Sequence, residues 1–176
     1  MNEQGTAIID QESFDGSVRS ILAEVDVLTL ATVSPEGPWA ADVFFAADEF
    51  RLYFWSSPSS RHCLDLGQVP RCAATIHPVV RSWQTITGLQ LTGTTARASD
   101  TDRAAQTYLA KYPFAKPLIN GASARSAVPW ELRVTRIRLI DNTLGFGQSL
   151  SAEVEDGRLG DPSPDREMQE ATDERQ

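Results

Sequence analysis

Apolar residues recur with two different periods along the chain, and the two periods predict helices and strands. In residues 17–25 they fall at i, i+3, i+4 and i+7, as on one face of a helix: Val18, Ile21, Leu22 and Val25. The next stretch, V-L-T-L-A-T-V at 27–33, alternates in part and is rich in β-branched residues, which indicates a strand. We therefore predict an N-terminal helix followed directly by a first strand.

Two further strands follow after short breaks. The segment S-P-E-G at 34–37 has proline second and glycine fourth, the layout of a type I turn. W-A-A-D-V-F-F-A at 39–46 and F-R-L-Y-F-W-S at 50–56 lie on either side of a second break at 48–49. Three strands joined by short turns predict an antiparallel meander.

The second half of the chain repeats the two patterns. It predicts a short helix containing residues 61–66, a fourth strand at 71–78 and a long fifth strand at about 85–98. W-E-L-R-V-T-R-I-R-L-I at 130–140 alternates apolar and charged residues almost throughout, so we predict a half-exposed sixth strand there.

Another helix is predicted between the fifth and sixth strands. Ser99 and Asp102 have the spacing of a capping box, and apolar residues at helical spacing follow them. Residues 113–120 predict a short second helical piece. Six strands with inserted helices, mostly joined by hairpins, predict a mainly β fold with peripheral helices: a closed or nearly closed six-stranded antiparallel barrel.

Length and charge divide the chain into one domain and two ends. The 176 residues suit a single domain, which we place at 13–150 after a flexible leader at 1–12. Residues 151–176 hold nine acids and three arginines, a net charge of −6 out of −8 for the whole chain. This composition predicts a disordered, solubilising acidic tail.

Composition excludes several classes of function. An acidic chain lacks the basic footprint that nucleic-acid binding needs, and no apolar run is long enough to span a membrane. The N-terminal residues do not resemble a secretory signal. Cys63 and Cys72 are too few for a disulfide framework or a structural zinc site. We therefore expect a cytoplasmic protein that binds neither nucleic acid, membrane nor metal.

The chain carries few residues suited to catalysis. G-L-Q-L-T-G-T-T at 88–95 nearly matches a phosphate-binding loop, but Thr94 stands where the lysine belongs and the segment alternates as a strand. Its glycines instead predict a bulge or a close approach by a ligand or backbone. The two histidines, His62 and His77, have no clustered carboxylates or serine elbow around them, so they predict neither a metal site nor a catalytic triad.

One segment does combine residues that bind anions. S-S-P-S-S-R-H at 56–62 places four serines, an arginine and a histidine where the short helix is predicted to begin. A helix N-terminus, hydroxyl groups and a guanidinium together suit a phosphate group. Ordinary capping of the helix by serine, with a solvated arginine, explains the same residues. The segment alone leaves both interpretations open.

The order of these segments resembles a known family, the FMN-binding split barrels related to pyridoxamine 5′-phosphate oxidase. The similar stretches are L-A-T-V-S-P-E-G-P at 30–38, F-W-S-S-P-S-S-R-H-C-L-D-L-G-Q-V-P-R at 54–71 and the G-L-Q-L-T-G strand. The pair R-H, the motif W-E-L-R and D-N-T-L-G-F-G at 141–147 resemble a small bacterial branch of this superfamily. The resemblance covers roughly residues 18–147.

The resemblance implies a six-stranded split barrel that forms a homodimer, with FMN in each of two clefts at the subunit interface. It assigns cofactor binding to Ser56, Ser60 and Arg61, with Arg61 on the phosphate. His62 stands where a lysine usually assists, and Trp55 stands where an aromatic residue borders the flavin. We also consider Trp83 and Phe146 as residues that line the cleft.

The chain departs from the oxidase itself at two positions and at its C-terminal end. Ala41 and Ala46 replace an arginine and a lysine that bind phosphate, and D-N-T-L-G-F-G replaces the arginine motif for the phosphorylated substrate. The resemblance therefore implies a flavin-dependent oxidoreductase with a substrate other than pyridoxamine phosphate and with no assigned catalytic residue. The alternatives are a non-catalytic carrier or sensor of flavin, deazaflavin or haem, and a barrel without a cofactor.

Overall fold

The computed structural model describes residues 10–120, 126–145 and 147–164. The helices are α1 (Gln11–Glu24), α2 (Arg61–Gln68), α3 (Thr101–Lys111) and α4 (Lys116–Asn120). The main strands are β1 (Val27–Ser34), β2 (Gly37–Asp48), β3 (Arg51–Ser56), β4 (Arg71–Ile76), β5 (Thr87–Arg97), β6 (Val128–Asp141) and β7 (Ser149–Glu155). Two short strands follow, β8 (Arg158–Leu159) and β9 (Ser163–Pro164).

Six of the strands close into a ring. Going round it, the order is β1, β2, β3, β6, β5 and β4, and β4 returns to β1; every neighbouring pair is antiparallel. This arrangement confirms the predicted six-stranded antiparallel split barrel with peripheral helices. β7 pairs with β6 outside the ring.

The barrel interior is filled by alternate residues of each strand. Leu28 and Leu30 from β1, for example, are completely buried, as are Phe45 and Phe54 on the paired strands β2 and β3. Side chains from α1 and α2 join this core. α2 links the end of β3 to the start of β4 and so crosses one end of the barrel, whereas α1 leads into β1 at the other end.

The two glycines of β5 lie where another backbone comes very close. A Cβ atom at Gly93 would be 2.2 Å from the carbonyl oxygen of Arg133, and one at Gly88 would be 2.8 Å from that of Ile76. The pairing of β5 with β6 also shifts register between Thr92 and Gly93. These contacts confirm the expected bulge and close backbone approach.

The start of α3 differs from the prediction. The N-cap is Asp100, whose carboxylate accepts a hydrogen bond from the backbone N–H of Arg103, and not Ser99. The capping-box pattern was wrong by one residue because aspartate caps as well as serine does, so two adjacent residues compete for the position.

The C-terminal segment also differs from the prediction. Residues 151–164 were expected to be disordered, but β7, β8 and β9 lie within or beside them. The cause is a short alternating pattern: Leu150, Ala152 and Val154 pack against the core, while Glu153 and Glu155 beside them are exposed. The high acid content hid this pattern. Residues 165–176 lie outside the described residues.

Candidate functional site

Three side chains of the serine-rich segment form a connected cluster at the start of α2. The hydroxyl oxygen of Ser56, the last residue of β3, is 2.7 Å from Nε2 of His62 and 3.2 Å from the hydroxyl oxygen of Ser60. The Ser60 oxygen is in turn 3.1 Å from the same nitrogen. The structure thus brings together Ser56, Ser60 and His62, from the end of a strand and the beginning of a helix.

The hydroxyl of Ser60 is not used to cap the helix. Ser60 is the N-cap residue of α2, but its side chain makes no capping hydrogen bond. It donates instead to the carbonyl of Ser57 at 2.8 Å. The first-turn N–H groups of α2 therefore receive no hydroxyl from Ser60, which argues against simple capping and favours the anion-site interpretation.

The contacts of the cluster are compatible with both neutral tautomers of His62. With the hydrogen on Nε2, the imidazole donates to Ser56 or Ser60, and the hydroxyl proton of Ser56 is left for Ser60 or a ligand. With the hydrogen on Nδ1, Nε2 accepts the hydroxyl proton of Ser56 at 2.7 Å. Partial burial lowers the pKa of His62 below 6.5, opposed by the charge of Asp65, so the imidazole is neutral near pH 7.

Arg61 lies on another flank of the same helix start. Its guanidinium carbon is 4.5 Å from the ring centroid of Trp39 on β2, and its Nε is 4.0 Å from a carboxylate oxygen of Asp65. Nε is buried and has no hydrogen-bond partner. Asp65 is only 4% exposed and accepts a hydrogen bond from the hydroxyl of Thr32 at 2.9 Å.

Trp55 faces away from this cluster. It precedes Ser56 on β3, so the two side chains point to opposite faces of the strand. Its ring packs under α3 with its centroid 4.7 Å from that of Tyr108. Burial raises the pKa of Tyr108 to about 12. The structure therefore separates Trp55 from Ser56, Ser60 and His62.

The two alanines that replace basic residues lie on opposite faces of β2. Ala41 pairs with Leu30 on the interior face, toward the end of the barrel that α2 crosses. Ala46 pairs with Tyr53 on the outer face and is 1% exposed beneath Tyr108 and Tyr112. The closed packing around Ala46 shows that this position holds no part of a phosphate site in this chain.

Trp83 lies at the opposite end of the barrel. Ser56 pairs with Val128 at the start of β6, whereas the carbonyl of Trp83 accepts a hydrogen bond at 2.7 Å from Asn142, which follows the end of β6. β6 has 14 residues, so at the rise of a strand it is roughly 40 Å long. Trp55 and Trp83 therefore do not lie side by side within one chain, and their place in a cleft between two subunits stays a prediction. Phe146 lies outside the described residues.

The heptapeptide at 141–147 has a structural role in the residues that are described. The carboxylate of Asp141 accepts hydrogen bonds from the backbone N–H and the hydroxyl of Thr143. Asn142 joins this turn to the loop before β5 through the carbonyls of Trp83 and Ile86. The described part of the motif thus fixes two loops together, far from the serine cluster.

Sequence reasoning missed Trp39, Asp65 and Thr32. Asp65 carried a weak signal, because it lies four residues after Arg61 on one helix. Trp39 and Thr32 carried none, since their contacts with α2 depend on how the helix crosses β1 and β2. Within residues 10–120, 126–145 and 147–164 there is no group of three or more metal-binding side chains, and no helix there is long and apolar enough to cross a membrane.

Comparison with known proteins agrees with this architecture. The family model described as pyridoxamine 5′-phosphate oxidase matches residues 14–141. A UPF0306 protein of Photorhabdus laumondii is 31% identical over 137 residues, which are 76% of this chain and 91% of the relative. The UPF0306 protein YhbP of Escherichia coli is 30% identical over 133 residues, 73% of this chain and 86% of that protein.

A solved structure shares the fold at a similar level of identity. A heme binding protein from Mycobacterium smegmatis superimposes with a TM-score of 0.66 at 27% identity, over 78% of this chain. This chain spans only 56% of the length of that one. The extent of the family match, the UPF0306 relatives and the closed six-stranded ring lead to one conclusion: the chain belongs to the pyridoxamine 5′-phosphate oxidase family.

Proposed function

We propose that the protein binds FMN and acts as a flavin-dependent oxidoreductase on a small molecule. The observation that carries the proposal is the cluster at the start of α2, where Ser56, Ser60 and His62 lie beside N–H groups that Ser60 does not cap. Arg61 adds a guanidinium whose buried Nε lacks a partner. Proteins of this family often bind flavin.

These residues fit the phosphate group of FMN. A phosphate offers acceptor oxygens only, and the cluster can offer it the hydroxyl proton of Ser56 or the N–H of His62, together with the terminal nitrogens of Arg61. Bound flavin would supply the electron or hydride transfer. Trp55 faces α3, and its place beside the flavin stays a prediction.

We propose a substrate other than pyridoxamine 5′-phosphate. Ala46 is closed off beneath Tyr108 and Tyr112, so the basic residue of the oxidase has no counterpart there. We also propose that the chain works as a homodimer with the cofactor near the interface. Two buried free thiols, Cys63 and Cys72, support a reducing compartment such as the cytoplasm.

Haem is the second candidate ligand, because of the 27% identity to a heme binding protein. Haem iron requires an axial ligand, and the histidines are His62, which is engaged with Ser56 and Ser60, and His77, which is exposed beside Pro78. Arg61 can pair with a carboxylate of haem as well as with a phosphate. The absorption spectrum of the bound protein distinguishes FMN from haem.

The test is titration of the purified protein with FMN, a deazaflavin and hemin, followed by absorption and flavin fluorescence. We expect FMN to bind, and Arg61→Ala to weaken FMN binding at least about tenfold, because a hydrogen-bonded charge is lost. That variant leaves the buried carboxylate of Asp65 uncompensated, so Arg61→Gln combined with Asp65→Asn serves as the charge-neutral version.

Arg19→Ala is the matched control. Arg19 also lies on a helix, pairs with an aspartate four residues away and stacks on an aromatic ring, in this case Phe50 at the far end of the barrel. The Arg19→Ala variant should bind FMN as tightly as the wild type. Binding of hemin but not FMN by the wild type would contradict the FMN proposal and support haem as the ligand. Absence of binding by all three ligands would support a barrel without a cofactor.

A further inference from the structure

Arg61 is contacted by side chains of β2 and α2, and a side chain of β1 supports the second contact. The guanidinium of Arg61 lies over the ring of Trp39 on β2, with 4.5 Å between the guanidinium carbon and the ring centroid. Asp65, one turn later on α2, lies 4.0 Å from its Nε. Thr32 on β1 fixes Asp65 in turn through a hydrogen bond of 2.9 Å. A surface arginine ordinarily has no such support.

The burial of these groups shows which edge of the guanidinium is presented. The side chain of Arg61 is 36% exposed, and its Nε, the nitrogen paired with Asp65, is buried, which leaves the terminal nitrogens as the part of the guanidinium that can meet a ligand. Asp65 is almost fully buried and cannot follow a ligand outward. The inner edge is therefore anchored by charge, and the outer fork faces the solvent beside the start of α2.

The cation–π contact with Trp39 restrains the guanidinium against β2. A phosphate binds arginine through two parallel N–H groups, so it needs the guanidinium to be held in one place. Movement of the guanidinium away from β2 would lose the contact with the indole ring. Trp39 is 43% exposed, so burial in the core does not account for a tryptophan at this position.

We infer that Trp39 is a positioning residue, which orients Arg61 for a phosphate group and does not itself contact the flavin ring. Asp65 and Thr32 hold the other edge of the same guanidinium. The inference rests on the phosphate binding proposed above, and it extends that site to β1 and β2.

The test compares ligands with and without the phosphate. We expect FMN to bind more tightly than riboflavin. Trp39→Leu should reduce the ratio of FMN affinity to riboflavin affinity about two- to fivefold, with the riboflavin affinity itself unchanged. Trp39→Phe keeps an aromatic face and should retain most of the ratio. In the Arg61→Gln, Asp65→Asn background, Trp39→Leu should have no further effect, because the residue it positions is gone.

Two results would overturn the inference. One is an equal loss of FMN and riboflavin affinity in Trp39→Leu, which would mean that Trp39 contacts the flavin ring. The other is no change in either affinity.

A probe without flavin separates this inference from the proposed function. Inorganic pyrophosphate should protect the wild-type protein against thermal unfolding and protect Trp39→Leu less. Protection by pyrophosphate without flavin binding would contradict the proposed function and leave the role of Trp39 supported. Absence of binding by both pyrophosphate and FMN would contradict both proposals.

Discussion

His62 stands between two serines in a partly buried place, and its titration links the site to pH. Burial lowers its pKa below 6.5 in the free protein, whereas a bound phosphate favours the charged imidazolium. We therefore expect the proposed binding of a phosphate to take up a proton. Of the charged groups at the start of α2, Asp65 favours the imidazolium and Arg61 lies on the other flank.

We predict that FMN binds more tightly as the pH falls from 8.5 to 6.5. The gain can reach about tenfold per pH unit, the limit for uptake of one proton. Calorimetry in two buffers of different ionisation enthalpy should detect this proton directly. His62→Gln keeps a donor and removes the titration, so its affinity should not vary in this range. A wild-type affinity as flat as that of the variant would contradict the prediction.

The same histidine should act in the opposite direction on the free protein. Its pKa is lower when folded than the 6.5 of the unfolded chain, so the unfolded chain binds the proton first as the pH falls. The stability is therefore present above about pH 6.5 and is lost as the pH falls toward the folded pKa. Protonation of His62 is thus expected to strengthen ligand binding and to lower the stability of the ligand-free protein.

At the level of elements, the barrel depends on the close contact of β5 with β6 at Gly93. A side chain there would need the carbonyl of Arg133 to move by more than an ångström, and that carbonyl belongs to a paired strand. We predict that Gly93→Ala lowers the free energy of unfolding by about 3 kcal/mol or more, measured by urea denaturation.

Gly67→Ala is the matched control for this change. Gly67 lies within α2, and a Cβ there would meet nothing within 4 Å. Alanine is the better helix former by up to about 1 kcal/mol, so this variant should be as stable as the wild type or more stable. Equal unfolding midpoints for Gly93→Ala and the wild type would show that β5 and β6 can separate at this point.

The elements were predictable from the sequence where their pattern was local. The alternation of β6 and the helical spacing of Val18, Ile21 and Leu22 follow directly from burial on one face, and both are confirmed. Ser56, Ser60 and His62 were also predictable as a group, because they lie within seven residues. The stack of Arg61 on Trp39 was not, because residues 22 positions apart meet only through the crossing of α2 over β2.

At the level of the whole molecule, one face of the barrel is covered by none of the described helices and has small side chains at its centre. With Arg71 and Gln90 at the margins, exposed small residues of β1, β4 and β5 lie side by side there: Ala31, Ala73, Thr75, Thr92 and Thr94. Small residues let two sheets pack face to face at about 10 Å. A two-fold dimer uses the same face of both copies, and this face suits that arrangement.

We predict that Ala73→Glu converts a dimer to a monomer. Ala73 pairs with Ala31 on one side and Thr92 on the other, so it lies near the centre of the face. Its charge would be buried against a second copy of itself, which strongly disfavours association. Gln106→Glu adds the same charge on the exposed side of α3 and should stay dimeric in light scattering. If the cofactor lies at this interface, the Ala73→Glu monomer also loses FMN. If Ala73→Glu remains dimeric, the dimer interface lies on another face of the barrel. Cofactor binding would then not depend on the surface of small residues.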